Sequence, residues 1–206
     1  MTSPAAGLSR LQEGNRRFLD GAARADTLVS EARRKEVAND HNPFAIILGC
    51  SDARVPAEII FDQGLGDLFV IRVAGNIVAP SQIGSVEFAA ERFGTKLVVV
   101  LGHTGCGAIL ATLEELRRPT EGHSPNLRSI VDRVRPSVEA LFEGNTPPAT
   151  DLALEHRAVR ANIRASVNQL RHGSQILERL IDQDGLRVVG AEYSLESGEV
   201  DFFEGV

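Results

Sequence analysis

The chain of 206 residues contains two cysteines, and each lies in a short segment of side chains that could bind a metal. Cys50 comes two residues before Asp52, and His103 comes three residues before Cys106. Two thiolates, an imidazole and a carboxylate are ligands that zinc accepts, and four is the number that a tetrahedral site requires. Asp52 would be the weakest of the four, and Arg54 follows it at a spacing that allows an ion pair. The sequence therefore predicts a zinc site with one displaceable ligand, which favours a catalytic role.

Asp52 has two candidate partners, and the choice between them decides what the site could do. If Asp52 binds the metal, all four positions are filled and the site is closed. If Asp52 pairs with Arg54, the fourth position is open to water, which zinc makes acidic enough to lose a proton. A third interpretation treats Cys50 and Cys106 as small buried core residues. A disulfide between them would need Cα atoms within about 7 Å, and we interpret such a bond as damage after metal loss.

The bulk composition is that of an ordinary globular protein, with 43% apolar and 24% charged residues. The net charge of −6 argues against non-specific binding to nucleic acid or to an anionic membrane. No stretch approaches the roughly 18 uninterrupted apolar residues of a membrane span, and the first residues lack the pattern of a signal peptide. We therefore expect a cytoplasmic protein, in which cysteines serve metal binding or catalysis more often than disulfides.

Short apolar runs alternate with helical patterns, which is typical of an α/β fold with a mostly parallel central sheet flanked by helices. A short edge strand is predicted after Gly198. The other predicted strands are 44–48, 68–73, 97–101 and 186–191, and the predicted helices are 56–60, 81–93 with Ser81 as its cap, 108–118, 124–143 kinked or split at Pro136, 152–171 and 175–183.

We expect one domain over residues 1–206, with an N-terminal helical arm at about 1–40 and an α/β core at 41–206. The arm has few apolar positions, so it must pack on something larger, such as another subunit. Residues 144–150 have the composition of a linker-like loop. The arginines of residues 157–164 predict a solvated helix face or inter-subunit pairs, with no site attached.

Both ligand segments directly follow predicted strands. Cys50 comes after the first strand and His103 after the third. In open parallel sheets, ligands bind outside the carboxyl ends of the strands, where the strand order reverses. Cys106 is predicted to lie at the start of the following helix, where the helix dipole favours a thiolate. The sequence thus predicts that the two segments meet at one edge of the sheet.

The two segments together resemble the paired motifs of the β-class carbonic anhydrases. The motifs are C-S-D-A-R-V-P, which begins at Cys50, and H-T-G-C-G, which begins at His103. The resemblance covers about residues 42–115 and includes F-D-Q-G, R-V-A-G-N and G-S-V-E-F. It implies a sheet of four parallel strands with an additional edge strand, and a homodimer or dimer of dimers in which the arm embraces the partner.

The resemblance also implies a chemistry. Cys50, His103 and Cys106 would bind one zinc per chain, and Asp52 would be either the fourth ligand or the Arg54-paired acceptor that orients zinc-bound hydroxide. That hydroxide would attack carbon dioxide to give bicarbonate, and a proton would leave to buffer. The implied enzyme is a carbonate dehydratase, which is a zinc-dependent lyase.

A substrate pocket at the subunit interface is implied as well, with His41, Phe69, Phe88 and Gly107 as its candidate residues. Phe69 and Phe88 match apolar positions of that pocket, although ordinary core packing gives the same pattern. His41 stands where many members have a glutamine; it could donate to substrate or shuttle protons near neutral pH, or it could be a solvent-exposed loop residue. Ile47 stands where some members that move the aspartate onto zinc at lower pH commonly have a tryptophan, which leaves such a switch undecided.

Two other functions are compatible with the same residues. The first is hydrolysis of carbonyl sulfide or carbon disulfide on the same scaffold, which would need a narrower and more apolar access route. The second is a non-catalytic protein with a closed zinc site. The presence of both Asp52 and Arg54 argues against the second function, because a purely structural site would not need the pair.

Overall fold

The computed structural model describes residues 2–24, 29–118, 124–142 and 151–206. The predicted linker-like loop at 144–150 lies outside these ranges. The helices are α1 (Pro4–Leu19), α2 (Glu31–Val37), α3 (Ala57–Ile60), α4 (Pro80–Phe93), α5 (Gly107–Arg117), α6 (Pro125–Glu139), α7 (Asp151–His172) and α8 (Gln175–Asp184), and the strands are β1 (Ala45–Gly49), β2 (Leu68–Arg72), β3 (Leu97–His103), β4 (Arg187–Tyr193) and β5 (Val200–Glu204).

The five strands form one sheet in the order β2-β1-β3-β4-β5. Strands β1 to β4 run parallel to their neighbours, and β5 pairs antiparallel with β4. The predicted α/β class and mostly parallel sheet are confirmed. The strand order reverses between β1 and β3, because the chain continues from β1 to β2 on one side and returns to β3 on the other. The carboxyl ends of β1 and β3 therefore border the crevice where such sheets bind ligands.

Both faces of the sheet are covered by apolar side chains, and every residue of β1 and β3 is buried. Helix α7 packs very close to one face because two facing residues of the sheet are glycines. A Cβ atom at Gly102 would lie 2.5 Å from Ile163, and a Cβ at Gly190 would lie 2.7 Å from the same side chain. Ile163 is fully buried, and the removal of its apolar surface from water contributes about 1.5–3 kcal/mol to stability. The glycine pair thus sets the distance between α7 and the sheet.

Helix α1 packs on the core of its own chain, which agrees with the expectation that the arm packs on something larger. Its central residue Leu11 is fully buried. The Asn15 amide donates to the carbonyl of Ile60 at 3.2 Å and to that of Gly198 at 2.9 Å, and its oxygen accepts from the Val200 N–H at 3.0 Å. These bonds tie the arm to the chain before β5. Helix α2, by contrast, has no buried residue.

The predicted cap at Ser81 was wrong, and of the two alternatives predicted at Pro136 the split does not occur. Helix α4 begins at Pro80 with Ala79 as its N-cap, and Ser81 lies inside the first turn. Proline suits this position because its missing N–H would have no partner within the helix. Helix α6 is not split, since it continues from Pro125 to Glu139 through Pro136, which lies on the exposed face where water can reach the carbonyl left without a partner. Among the described residues, no helix is both long and apolar enough to span a bilayer.

Candidate metal centre

Three of the predicted ligands converge at the carboxyl ends of β1 and β3. Cys50 directly follows β1, His103 is the last residue of β3, and Cys106 immediately precedes α5. The ligand atoms of these three residues all lie within 4.8 Å of one another, and all three residues are buried. Two sulfur atoms and one imidazole nitrogen at such separations form a donor set that suits zinc.

The ring of His103 turns one nitrogen to the backbone and the other to the two cysteines. Its Nδ1 lies 2.8 Å from the carbonyl oxygen of Thr104. Because a carbonyl can only accept, Nδ1 carries a proton, and in the neutral ring Nε2 is then an acceptor. Nε2 is buried and lacks a hydrogen-bond partner within the described ranges, and such an orphaned group costs about 1–3 kcal/mol. A cation held between this nitrogen and the two sulfurs would satisfy it, so the residues present fit a zinc ion.

The two cysteine sulfurs are held among backbone N–H groups. The Gly75 N–H donates to Cys50 Sγ at 3.4 Å. Gly75 has a left-handed backbone with φ of 68°, which favours glycine. Cys106 receives backbone hydrogen bonds from Ala108 and Ile109 in the first turn of α5. Both environments stabilise negative charge on sulfur, as metal binding requires.

A hydrogen bond couples the two cysteine side chains. The Cys106 thiol donates to Cys50, which lowers the pKa of Cys50 to about 4 against the opposing effect of burial. The same bond, together with burial, raises the pKa of Cys106 far above its ordinary value. The remaining proton must leave when a cation binds, so metal affinity is expected to rise with pH.

Asp52 is paired with Arg54. The carboxylate Oδ1 accepts from Arg54 Nε at 2.9 Å and from the Arg54 backbone N–H at 3.0 Å, and Oδ2 accepts from Nη2 at 2.7 Å. These hydrogen bonds hold the pKa of Asp52 well below its usual range despite its partial burial. Oδ2 lies 3.9 Å from His103 Nε2. The carboxylate is therefore ionised, oriented and adjacent to the three-ligand cluster, with both oxygens engaged by arginine.

Several side chains that sequence reasoning missed hold the loops of this cluster. Arg72 donates from Nε to the Cys50 carbonyl at 2.9 Å and from Nη2 to that of Asp52. Asn162, which lies in the arginine-rich segment 157–164, is buried and donates to the Gly75 carbonyl at 2.8 Å. No local pattern marks Asn162, and the R-V-A-G-N motif that begins at Arg72 does not reveal what Arg72 contacts. Their position is set by the packing of α7 and the sheet.

Comparison with known proteins identifies the family of the chain. A sequence profile described as carbonic anhydrase matches residues 45–200. The carbonic anhydrase of Mycolicibacterium smegmatis is 35% identical over 202 residues, which cover 97% of this chain and 93% of that protein. This chain belongs to the β-carbonic anhydrase family. The prediction of an enzyme of the carbonate dehydratase type is thereby confirmed at the level of the family.

Solved structures of β-carbonic anhydrases have the same fold. CafA of Aspergillus fumigatus matches with a TM-score of 0.72 and 22% identity, over 97% of this chain and 91% of that one. One of two tetrameric β-carbonic anhydrases from Sordaria macrospora matches with a TM-score of 0.67 and 23% identity, over 82% of this chain and 84% of that one. At these identities the similarity shows the fold alone.

The residues predicted to line the substrate pocket of this carbonic anhydrase fall in two places within one chain. Gly107 is exposed beside Cys106 at the start of α5. Phe69 instead pairs in register with Ile46, near the amino end of β1. Cys50 comes four residues after Ile46, which is about 13 Å along an extended strand.

His41, Phe69 and Phe88 belong to one aromatic group whose fourth member is Phe93. The ring centroids of Phe69 and Phe88 are 6.2 Å apart, and that of His41 lies 4.8 Å from Phe93. Phe88 is 55% exposed, so it is not an ordinary core residue, and His41 is exposed as well. Phe69 and Phe93 are partly buried against the core, so the chain presents a partly exposed aromatic group away from its own Cys–His–Cys cluster. Ile47, by contrast, is fully buried in the sheet.

Proposed function

We propose that this chain is a zinc-dependent carbonate dehydratase that catalyses the reversible hydration of carbon dioxide to bicarbonate and a proton. The observation that supports this proposal most strongly is the buried cluster of Cys50, His103 and Cys106, with an unpartnered imidazole nitrogen beside an ionised carboxylate. The membership of the chain in the β-carbonic anhydrase family supports the same reaction.

One zinc ion per chain would be held by Cys50, His103 and Cys106. Two thiolates and a neutral imidazole carry a charge of −2, which balances the charge of the dication. When bound, zinc supplies a Lewis acid that lowers the pKa of water enough to provide a nucleophile near neutral pH. The pairing of Asp52 with Arg54 favours the open arrangement over the closed one, because the carboxylate already has strong partners that compete with the metal.

The role proposed for Asp52 is to accept a hydrogen bond from the attacking water and to fix its orientation. The bidentate contact with Arg54 directs the carboxylate and keeps it ionised across the physiological pH range. Arg54 Nη2 also lies 3.3 Å from the Gly105 carbonyl, which fixes the guanidinium between the two loops of the site. Groups held in place before reaction contribute to rate because they need no reorganisation during it.

We further propose that the chain, as one domain with its N-terminal arm, works as a homodimer or a dimer of dimers. The partly exposed aromatic group of His41, Phe69, Phe88 and Phe93 would then cover the metal site of a partner subunit and form an apolar pocket for carbon dioxide. The tetrameric state of the Sordaria macrospora enzymes supports an assembly of this kind.

Phe88→Arg should yield a smaller species in light scattering that retains zinc but loses turnover. An unchanged size and rate would contradict this assignment.

Stopped-flow carbon dioxide hydration tests the function directly, at pH 7 and pH 8.5, with zinc content measured on the same sample. We expect turnover at both pH values with about one zinc per chain. Turnover only at the higher pH would indicate that Asp52 closes the site at pH 7. Stoichiometric zinc without turnover at either pH would contradict the proposal, and hydrolysis of carbonyl sulfide would then be assayed on the same protein.

A further inference from the structure

The peptide group between Thr104 and Gly105 makes two hydrogen bonds in opposite directions. Its N–H, from Gly105, donates to Glu155 Oε1 at 2.7 Å. Its carbonyl, from Thr104, accepts from His103 Nδ1 at 2.8 Å. A single planar peptide thus connects a carboxylate on α7 to the ring of a proposed zinc ligand, and the opposite nitrogen of that ring faces Cys50 and Cys106.

Hydrogen bonds joined through one peptide strengthen each other. A carboxylate that accepts from the N–H draws electron density toward the carbonyl oxygen, which becomes a better acceptor. A better acceptor at Nδ1 fixes the ring tautomer and makes Nε2 more basic, as carboxylates do when they bond directly to a metal-binding histidine. We propose that Glu155 is a positioning residue for the metal site and acts on His103 through the Thr104–Gly105 peptide.

The position of Glu155 is fixed by buried contacts on both sides of it. Leu154 and Ala158 are almost completely buried, and farther along α7 the Ile163 side chain fills the space left by two glycines of the sheet. Glu155 itself is partly exposed, so water competes for its carboxylate. The packing of the helix holds that carboxylate against the Gly105 N–H. Asn162 on the same helix binds the Gly75 carbonyl, and Gly75 donates to Cys50. Helix α7 therefore contacts both Gly105, which precedes Cys106, and Gly75, whose N–H donates to Cys50.

The inference rests on the proposed zinc site, and its test has readouts that do not depend on activity. Glu155→Ala removes the acceptor, whereas Glu155→Gln keeps an oxygen acceptor and removes the charge. Glu91→Gln is the matched control. It removes the same charge from a carboxylate on α4 that pairs with Arg179 and not with the metal site. Zinc affinity is measured on the full chain by competition with a chelator at one pH. The proton resonances of Gly105 N–H and His103 Nδ1–H are recorded by NMR with and without zinc.

We expect Glu155→Ala to weaken zinc binding about 10-fold, at the lower end of the range for outer-sphere partners of metal ligands. Glu155→Gln should fall between Glu155→Ala and the parent protein, and Glu91→Gln should match the parent. The Gly105 and His103 resonances should both move upfield in the order parent, Glu155→Gln, Glu155→Ala. If Glu155→Ala fails to fold, Glu155→Gln still gives both readouts.

Two results would overturn the inference. One is zinc affinity within twofold of the parent in Glu155→Ala or, if that variant does not fold, in Glu155→Gln. The other is a loss of affinity in which the His103 Nδ1–H resonance does not move, because the effect would then reach the metal by another route. Failure of the parent chain to bind zinc would refute the proposed function instead, and the two resonances of the metal-free protein would still decide whether the relay exists.

Discussion

Replacement of Gly102 by alanine tests whether the close approach of α7 to the sheet positions the metal site. The new Cβ would lie 2.5 Å from Ile163 Cδ1 and 2.6 Å from Cγ1. Carbon atoms in contact normally stay about 3.5–4.0 Å apart, so the isoleucine must retreat by about 1 Å. Its side chain is fully buried and its Cγ2 already faces Gly190, which leaves it little room to turn.

The expected cost of this overpacking is about 2 kcal/mol in the free energy of unfolding. For a chain of this length, that corresponds to a fall of about 4–8 °C in Tm. Zinc affinity should fall as well, because Gly102 directly precedes His103 and α7 carries Glu155 and Asn162. Thermal unfolding of the metal-free protein and chelator competition on the zinc protein measure the two effects separately.

A double-mutant cycle supplies the decisive comparison. Ile163→Ala alone should cost about 2–5 kcal/mol, since it opens a cavity. Combined with Gly102→Ala, it should cost at least ~1 kcal/mol less than the sum, because the added methyl occupies part of that cavity. Gly84→Ala on α4 is the matched control, since its Cβ would meet no atom within 4 Å and alanine favours a helix. Additive costs in the cycle, or a Gly102→Ala protein as stable as the parent, would refute the packing explanation.

Three further changes probe separate parts of the structure. Arg54→Lys keeps the charge but loses the bidentate fork, so zinc should stay bound while turnover falls about 10–100-fold; full turnover in stopped flow would rule out the proposed role of the pair. Cys50→Ser should remove zinc from the purified protein, and stoichiometric metal in its elemental analysis would contradict the ligand assignment. Burial raises the pKa of Asp62, but bonds from Arg17 and Arg24 outweigh it and hold that pKa below 3.8. Its ionised form therefore stabilises the fold above about pH 4, and this contribution is lost as pH falls through the lowered pKa. Asp62→Asn keeps a residue that accepts the left-handed φ of 46° and should cost about 2 kcal/mol at pH 7 in denaturant titrations. The cost should shrink as the pH falls through the lowered pKa, and a cost that does not change with pH would be inconsistent with the charge pairing.

The positions of the three proposed ligands could be predicted from the sequence because each is tied to a strand end. The run that ends at Gly49 could only be a buried strand, and the carboxyl ends of parallel strands meet at one edge. Cys50 and His103 follow directly from that rule. The pairing of Asp52 with Arg54 could be anticipated as one of two arrangements, since the two residues are near neighbours and their geometry is local.

The supporting contacts could not be predicted in this way, because they join residues far apart in the chain. Glu155 binds Gly105 from 50 residues away, and Asn162 binds Gly75 from 87 residues away. A helical pattern rich in arginine indicates a solvated face, and nothing in it distinguishes one buried asparagine. His41, Phe69 and Phe88 were likewise assigned to one pocket from the family resemblance alone. No pattern in the sequence indicates that the fold brings them together.

Anomalous diffraction at the zinc edge, from crystals of the zinc-loaded chain at a pH of full turnover, would test the proposed site most directly. We expect one zinc peak per chain, about 2.3 Å from the sulfurs of Cys50 and Cys106 and about 2.1 Å from His103 Nε2, with Asp52 still paired to Arg54. A peak elsewhere, or an Asp52 oxygen within about 2.2 Å of the zinc at that pH, would contradict an open three-ligand site.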